Sequence, residues 1–430
     1  MKREVLLEYL RSGAVREQLE PVYGGEAAAA ETRLLELTEE FAQIFPCGPD
    51  SETLLFSTPG RAELGGSHTD HQLGRGLAAS VNLDTIACVT PNDSHTIRIK
   101  SRNHRMATVH LDDLGIHEEE TGSSMALVRG LAQKFTQLAG PLRGFDVYTT
   151  TTVLRGGGLS SSAAFEVLTA TIFNHLFCGG SLTPPQVAQA AQYAENVYFN
   201  KPSGMLDQLA CAVGGVIGVD FQPCAGQQLP EITPLSLDLA AYGHALCIID
   251  TKASHASLVD DFAAIPREMQ QVALCFHSES LRGVDYDTFF HDLPRVRTLC
   301  GDRAVLRAYH YFHEDQRICR QIAALQQGDF SAFLRCVRES GRSSFLYLQN
   351  ASNYQESRVQ PLGVLQAVAE ELLGGTGAVR IHGGGFAGTL AAFVPLDRVD
   401  AFTAGMDAVA GPGSCRILHF RSTGSALLIS

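Results

Sequence analysis

A Gly/Ser-rich stretch at residues 154–164 constrains the fold of this chain more than any other feature. It reads Leu-Arg-Gly-Gly-Gly-Leu-Ser-Ser-Ser-Ala-Ala. Consecutive glycines allow positive φ angles and a close approach of the backbone to a ligand. The segment before it, 144–154, predicts a strand, and the apolar segment after it predicts a helix over 163–177. Because free N–H groups and the helix dipole favour negative charge at such a junction, the stretch predicts a site for nucleotide phosphates.

Two common nucleotide-binding motifs do not describe this stretch. No Gly-Lys-Ser/Thr follows the glycines, so it is not a P-loop, and the glycines are consecutive, so it is not the dinucleotide fingerprint. An ordinary glycine-rich turn capped by serines would have the same composition, and that alternative stays open at this point.

Length and composition narrow the class of protein. A chain of 430 residues is too long for one typical core and predicts two domains. Its 45% hydrophobic and 18% charged residues are typical of a globular protein, and its net charge of −13 argues against nucleic acid as the main partner. No apolar stretch is long enough to span a membrane, and the charged N-terminal segment is not a signal peptide.

The cysteines indicate a reducing compartment. The chain has 11 of them, scattered from Cys47 to Cys415, and no Cys-x-x-Cys pair occurs. Zinc and disulfide frameworks are therefore poorly supported, and we expect free thiols in a cytoplasmic protein.

The order of predicted elements mixes helices and strands without a regular βαβ rhythm, which favours an α+β fold. Helices are predicted at 1–45 with a break at Gly24 and Gly25, and at 122–138, 163–177, 184–198, 256–276, 303–326, 329–340 and 360–373. Strands are predicted at 53–57, 83–90, 95–100, 144–154, 244–250, 378–382, 390–394 and 426–430. The strands at 83–90 and 95–100 are expected to form a hairpin. The change in character at 213–237 divides the chain into domains 1–225 and 226–430.

A second unusual stretch, 59–71, places charged and aromatic polar groups in a predicted glycine-rich turn. Arg61 can clamp a phosphate or a developing oxyanion, since its guanidinium is always charged. Asp70 can accept hydrogen bonds from a polyol. The alternatives are a solvated turn or a metal site formed by His68, Asp70 and His71, whose spacing matches no familiar ligand pattern.

Two further stretches carry candidate groups. Asp207 precedes an apolar run, and a partly buried carboxylate beside Arg61 would suit a general base for a hydroxyl. Glu195 is a candidate Mg²⁺ ligand together with a serine hydroxyl, because Mg²⁺ prefers oxygen. The alternatives are a helix cap for Asp207 and a solvated helix position for Glu195. A second glycine run, 382–389, is either a tight turn between strands or a loop that braces the first.

These four stretches, in this order, resemble the GHMP small-molecule kinases, and specifically the galactokinases. The serine-rich loop is similar to their Gly-x-Gly-Leu-Ser-Ser-Ser-Ala motif, and 60–71 to Gly-Arg-x-Asn-x-Ile-Gly-Glu-His-Thr-Asp-Tyr. The segment around Asp207 resembles Gly-Ile-Met-Asp-Gln, and the last glycine run resembles Thr-Gly-Gly-Gly-Phe-Gly-Gly. The resemblance extends over nearly the whole chain.

The resemblance implies a ribosomal-S5-like N-terminal domain, a ferredoxin-like C-terminal domain and an active site between them. It implies an ATP-dependent sugar-1-kinase that converts galactose and ATP to galactose 1-phosphate and ADP, with no nucleic-acid or membrane partner, as a monomer or weak dimer. ATP would lie against Gly156, Gly157, Gly158, Leu159, Ser160, Ser161, Ser162 and Ala163.

The resemblance also implies individual roles. Asp207 would be the base for the sugar C1 hydroxyl, and Arg61 would steady that oxygen and the transferred phosphoryl group. Ser162 and Glu195 would hold Mg²⁺. The sugar would be contacted by residues at or near the second and third stretches, namely Ser67, His68, Asp70, Gly204 and Phe262.

Several positions depart from the family pattern and bear on the substrate. Ser67 replaces a glutamate, Phe262 replaces a tyrosine that reaches the sugar, and Glu63 replaces an asparagine. Galactose is therefore the leading substrate, with galacturonate, arabinose, N-acetylgalactosamine or another sugar as alternatives. Other departures are Gly65, His71, Arg155 and Gly341. A sugar- and ATP-binding regulator without catalysis is a third hypothesis, which the intact serine run disfavours.

Overall fold

A computed structural model describes residues 1–46, 48–154, 158–223, 229–253, 258–386 and 388–430. The α-helices in these residues are α1 Arg3–Arg11, α2 Arg16–Tyr23, α3 Ala27–Ile44, α4 Ser124–Ala139, α5 Ser161–Cys178, α6 Pro184–Tyr193, α7 Leu206–Val213, α8 Val259–Leu274, α9 Tyr286–His291, α10 Leu293–Cys300, α11 Asp302–Gln326, α12 Phe330–Ser343, α13 Pro361–Leu373 and α14 Val399–Ala410. The strands are β1 Leu54–Gly65, β2 Arg75–Pro91, β3 Thr96–Ser101, β4 Ala107–His110, β5 Phe145–Thr151, β6 Val216–Asp220, β7 Glu231–Leu235, β8 His244–Asp250, β9 Ala378–His382, β10 Thr389–Pro395, β11 Cys415–Leu418 and β12 Ala426–Ile429.

The predicted helices are confirmed within a few residues, and so is the break near Gly24, where a short 3₁₀ segment separates α2 from α3. The elements missed from the sequence are short or weakly periodic, and they are α7, α9, α10, α14, β4, β6, β7 and β11. Helix α6 continues into a π-helical turn, Ala194–Tyr198. In the part of the chain that the structure describes, no helix is long and apolar enough to cross a membrane.

The larger sheet has the strand order β12-β1-β2-β5-β3-β4, and β6 joins it by pairing with β2 and β7. Its pairs are antiparallel except for β3 with β5, which run parallel. The predicted hairpin between 83–90 and 95–100 is therefore wrong. The strand β5 lies between them, pairing with β2 on one side and β3 on the other. The turn residues after Pro91 favour pairing between the two strands that they separate. In the structure each of these strands forms its backbone hydrogen bonds with β5 instead, a strand much further along the chain.

The predicted turn at 59–71 is also corrected. The strand β1 continues through Pro59 and Gly60 and ends only at Gly65, so Arg61 and Glu63 are strand residues. The register of β1 against β2 shifts between Pro59 and Arg61 and again between Glu63 and Gly65. Such irregularities bend a strand and change the direction of its side chains. Arg61 and Glu63 lie between the two shifts, so this buried strand carries two ionisable side chains close together.

The smaller sheet has the antiparallel order β11-β8-β10-β9. One face packs against α13 and α14 in a separate apolar core that includes Leu365, Phe402 and Met406. The strand β9 leads directly into the second glycine run, and β10 leads away from it. The tight pairing of β9 with β10 therefore fixes where that run lies.

Both ends of the chain meet on the larger sheet. Helices α1 and α3 pack on β1 and β2 through residues such as Leu10 and Phe41, and the last strand, β12, pairs with β1. Strands β7 and β12 thus lie beyond residue 225 and belong to the larger sheet. The division of the chain into domains 1–225 and 226–430 stays a prediction.

Candidate active site

The N-terminus of α5 presents unused backbone donors to a cavity. Ser160 precedes the helix with φ of 52° and ψ of 59°, a left-handed conformation, and no side chain caps the first turn among the described residues. Leu159 is buried, whereas Ser162 is exposed. Free N–H groups at a helix N-terminus bind anions. Gly156, Gly157 and Arg155, predicted parts of this loop, lie outside the described residues.

The second glycine run closes this cavity from the other side. The cavity has a volume of about 240 Å³. A Cβ on Gly158 would overlap with the Thr389 hydroxyl, and Gly158 itself has a positive φ of 68°. The close approach of the two glycine runs is therefore possible only without a side chain at Gly158. The residues lining this phosphate-side cavity are Arg61, Leu154, Gly158, Ser160, Ser161, Ser162, Phe262, His382, Gly383, Gly384, Gly385 and Gly388.

A larger cavity of about 580 Å³ adjoins it, and Arg61, Ser162, Phe262, Gly383 and Gly384 line both. This acceptor-side cavity is also lined by Glu63, His68, Asp70, His71, Ala163, Glu195, Phe199, Asn200, Lys201, Pro202, Ser203, Gly204, Asp207, Gln208, Ala263 and Pro266. Most side chains predicted from the sequence as site residues are thus brought together here.

Asp207 and Arg61 form an ion pair at the border between the two cavities. Arg61 Nε lies 2.6 Å from Oδ1 of Asp207, and Nη2 lies 2.7 Å from Oδ2. The Ser160 hydroxyl donates to the same carboxylate, and Arg61 Nη1 donates to the Gly158 carbonyl. Burial opposes ionisation of Asp207, but the Arg61 charge and these hydrogen bonds outweigh it and lower its pKa. Asp207 is therefore an ionised carboxylate, and its side chain is 34% exposed.

Asp70 faces the acceptor-side cavity next to a glycine that cannot be replaced without displacing it. A Cβ on Gly204 would overlap with Asp70 Oδ2. The His71 backbone N–H donates to Oδ1 at 2.9 Å. Burial, and then the charge of Asp207, raise the pKa of Asp70 to about 6. Asp70 therefore offers an acceptor whose charge depends on pH in the physiological range.

Two histidines line the same cavity as neutral groups. The Nε2 atom of His68 lies 3.2 Å from the Gly384 carbonyl oxygen, and burial lowers the pKa of His68 to about 4. Burial also lowers the pKa of His71 to about 3, and neither ring nitrogen of His71 has a hydrogen-bond partner among the described residues. The His71 nitrogens are enclosed by protein atoms, so of the two rings only His68 is a candidate contact for a polar ligand.

Ser67 and Phe262 have different positions. Ser67 is fully buried and is not among the described residues that line either cavity; its hydroxyl has no partner there. Phe262 lines both cavities and packs edge-on against Phe386, with ring centroids 5.0 Å apart. His255 stands, with Phe262, where the family pattern has a histidine followed by the tyrosine, and His255 lies outside the described residues.

Oxygen donors suited to a hard cation line the acceptor-side cavity. Glu195 lies in the π-helical turn, and its carboxylate accepts from Lys201 Nζ at 2.6 Å, from Gln208 Nε2 at 2.9 Å and from the Ser203 hydroxyl. Mg²⁺ typically takes one or two protein oxygens besides phosphates, so Ser162 and Glu195 fit it chemically. No group of three or more His, Cys, Asp or Glu side chains in the described ranges is arranged to hold a metal, which gives no support to a site formed by His68, Asp70 and His71.

Sequence reasoning missed several charged or polar neighbours. Glu63 lines the cavity two residues after Arg61 on the same strand, a spacing that a strand prediction would have revealed. Glu166 lies one turn after Ser162 on α5, and the Gln208 amide donates to both Glu166 and Glu195. Burial, and then the charge of Glu195, raise the pKa of Glu166 well above its usual range.

Comparisons with known proteins show the family and the fold. The GHMP kinases N terminal domain matches residues 126–215, and the galactokinase galactose-binding signature matches residues 39–91. The crystal structure of Lactococcus lactis galactokinase complexed with galactose has a TM-score of 0.75 at 24% identity, covering 92% of this chain and 99% of that one. Methanococcus jannaschii mevalonate kinase has a TM-score of 0.57 at 12% identity, covering 87% of this chain and 99% of that one.

These matches confirm the α+β class and the GHMP kinase fold. The galactokinase of Streptomyces coelicolor A3(2) is 30% identical over 397 residues, which cover 90% of this chain and 95% of that protein. Since this identity extends over nearly the full length of both chains, the chain belongs to the galactokinase family of GHMP kinases, which are phosphotransferases that act on a hydroxyl group.

Proposed function

We propose that this protein is an ATP-dependent galactose-1-kinase, which transfers the γ-phosphoryl group of ATP to the C1 hydroxyl of galactose. The observation that carries this proposal is the Arg61–Asp207 pair at the border of two adjoining cavities. The phosphate-side cavity offers backbone donors, and the acceptor-side cavity offers carboxylates and the neutral imidazole of His68. Family membership supports the same reaction.

In this proposal Asp207 accepts the proton of the C1 hydroxyl as the bond to phosphorus forms. A phosphoryl transfer with a loose transition state needs positioning and charge stabilisation more than a strong base, so an ionised carboxylate of low pKa suffices. Arg61 holds that carboxylate by two hydrogen bonds and lends its positive charge to the transferred group. The first turn of α5 receives the phosphates of ATP.

Ser162 and Glu195 would hold Mg²⁺, which supplies positive charge to the phosphates when it is bound. Asp70 and His68, beside Gly204, would hydrogen-bond to the sugar hydroxyls, and Phe262 would pack against an apolar face of the ring. Ser67 is fully buried and does not line the cavity, so any effect on the sugar would be indirect. A cytoplasmic location and a monomeric or weakly dimeric state stay predictions.

The test is a coupled ADP-release assay with purified protein, ATP and Mg²⁺. The panel contains galactose, N-acetylgalactosamine, arabinose, galacturonate, glucose and mannose. We expect galactose to be turned over with the highest kcat/KM. Turnover of another sugar in its place would overturn the substrate, and ATP binding that depends on sugar, without ADP release from any of them, would overturn the enzyme and favour a regulator.

A further inference from the structure

A buried carboxyl that the proposed mechanism does not use lines the acceptor-side cavity. Glu63 lies on β1 two residues after Arg61, so the two side chains extend to the same face of the strand. The residue is 6% exposed and is one of the cavity-lining residues. Its small exposed surface is therefore directed at the place where the acceptor would bind.

One oxygen of this carboxyl is anchored and the other is not. Arg380 Nη2 donates to Glu63 Oε1 at 2.8 Å. Arg380 is fully buried, and its Nε and Nη1 have no partner among the described residues. No donor in the described part of the chain bonds to Oε2, and this atom is not among the fully enclosed polar atoms without a partner. The ion pair thus fixes the carboxyl and leaves Oε2 available to a ligand.

The strand itself is held in place at this point. The Glu63 backbone N–H donates to His382 Nε2 at 3.0 Å, and the His382 Nδ1 atom lies 3.0 Å from the Thr389 hydroxyl. Glu63 is therefore connected through its backbone and His382 to both β9 and β10, the strands that flank the second glycine run. A group positioned on paired strands is held more accurately than one on a loop.

The charges that surround this carboxyl are mixed. Arg380 and Arg61 are its positive neighbours, and Asp207 and Asp70 are its negative ones. Burial raises the pKa of Glu63 to about 7 against the opposing effect of the two arginines. Since Arg61 already pairs with Asp207, its charge is not available to a carboxylate on a bound sugar. The acidic side chains that line the cavity would repel such a carboxylate.

We propose that Oε2 of Glu63 accepts a hydrogen bond from a hydroxyl of the sugar acceptor and that this carboxyl excludes sugar acids. The inference rests on the proposed kinase function and names a determinant of its substrate class: a neutral, hydroxyl-rich sugar. The carboxylate that the family pattern has at position 67 is absent, and Glu63 supplies one to the cavity from the strand.

The test variant is Glu63→Gln, which keeps the shape of the side chain and removes its charge. At about pH 8, above the Glu63 pKa of about 7, we expect the KM for galactose to rise roughly 10- to 100-fold, the cost of losing a hydrogen bond to a charged acceptor, while the KM for ATP stays unchanged. In the wild type, we expect the kcat/KM for galacturonate to be roughly 100-fold or more below that for galactose. In the variant, the ratio of these two kcat/KM values should be closer to one.

Glu120→Gln is the matched control. Glu120 is also a buried carboxylate paired with an arginine, Arg129, at 2.6 Å, and it does not line either cavity. Because Glu63→Gln leaves Arg380 without its partner, the double variant Glu63→Gln/Arg380→Gln provides a second measurement in which no buried cation is unpaired. The control should keep both KM values, and the double variant should show the same rise for galactose.

The outcomes separate this inference from the kinase proposal. An active wild type, together with a folded Glu63 variant whose KM for galactose is unchanged, would overturn the role of Glu63 alone. Efficient turnover of galacturonate by the wild type would overturn the exclusion of sugar acids. A wild type that turns over no sugar would overturn both proposals.

Discussion

The two adjoining cavities of the candidate active site differ in their chemistry. The phosphate-side cavity is formed by backbone at Gly158 and Gly383–Gly385, serine hydroxyls and one arginine. The acceptor-side cavity adds the carboxyls of Glu63, Asp70 and Asp207. Phosphates need donors and positive charge, whereas sugar hydroxyls need acceptors. The two cavities therefore match the two proposed substrates: one offers donors to the phosphates of ATP, and the other offers acceptors to the sugar hydroxyls. The Arg61–Asp207 pair lies at the boundary between them.

Asp207→Asn should have the largest effect, because it removes the proton acceptor and leaves both cavities otherwise intact. We expect kcat to fall roughly 10²- to 10⁴-fold, the usual contribution of a general base, with smaller changes in KM for ATP or sugar. Steady-state kinetics with galactose measure this, and thermal unfolding checks the fold. A variant with wild-type kcat would contradict the role of Asp207.

Arg61→Ala should follow. The change removes the cation that touches both cavities and leaves Asp207 without its bidentate partner. We expect kcat to fall roughly 10²- to 10³-fold, as for other electrostatic donors at a transition state. Arg98→Ala serves as the control, since it also loses an arginine with two hydrogen bonds to one carboxylate, that of Asp146, and neither residue lines either cavity. The Arg98 side chain is the more exposed of the two arginines, at 43% against 6% for Arg61. Equal losses in the two variants would show that the effect is on folding and not on the reaction.

Gly204→Ala should affect the acceptor side alone. The added Cβ overlaps with Asp70 Oδ2 and must displace that carboxylate from the sugar. We expect the KM for galactose to rise roughly 100-fold, a typical loss for a displacement of about 1 Å, and the KM for ATP to change little. Gly25→Ala is the control, because a Cβ there meets nothing within 4 Å. If both KM values rose together, the two cavities would not be independent.

The catalytic efficiency with the sugar should also depend on pH, through the ionisable groups that line the acceptor-side cavity. The pKa of Glu63 is about 7 and that of Asp70 about 6, both raised first by burial, so acidification neutralises these acceptors. His68 and His71 stay neutral, because burial lowers their pKa values to about 4 and about 3. We expect kcat/KM for galactose, at saturating ATP, to fall roughly tenfold between about pH 8 and pH 5. The fall should be smaller in Glu63→Gln, and a flat wild-type profile would contradict this assignment.

Lys201→Met should have the smallest effect. The ammonium lies 2.6 Å from Glu195 Oε1 and would compete with a cation for that carboxylate. Since the lysine side chain is 55% exposed, the competition is weak, and we expect the Mg²⁺ concentration for half-maximal activity to fall roughly two- to fivefold. Activity titrated with Mg²⁺ measures this. A rise in that concentration would instead mean that Lys201 helps to bind the nucleotide.

Much of the fold was predictable because local signals agreed with the tertiary structure. The apolar spacing predicted α11, and the apolar segment after the glycine-serine run predicted a helix from 163, two residues after α5 begins at Ser161. The pairing of β2 was not predictable, because β5, more than fifty residues later, takes the place that a local hairpin would fill. The strand character of 59–65 was hidden by Pro59 and Gly60, which usually mark turns.

By itself, the sequence predicted most candidate groups of the site: Arg61, Asp70, Ser162 and Asp207 stand in recognisable motifs, and these residues and Glu195 each line at least one of the two cavities. Only the tertiary structure decided which departures from those motifs matter. Ser67 is fully buried and lines neither cavity, whereas Glu63 lines the acceptor-side cavity. One oxygen of Glu63 is held by Arg380, which is more than 300 residues away in the chain. The reason is physical. A motif fixes side-chain chemistry, but burial and the partner across the sheet fix which atoms a ligand can reach.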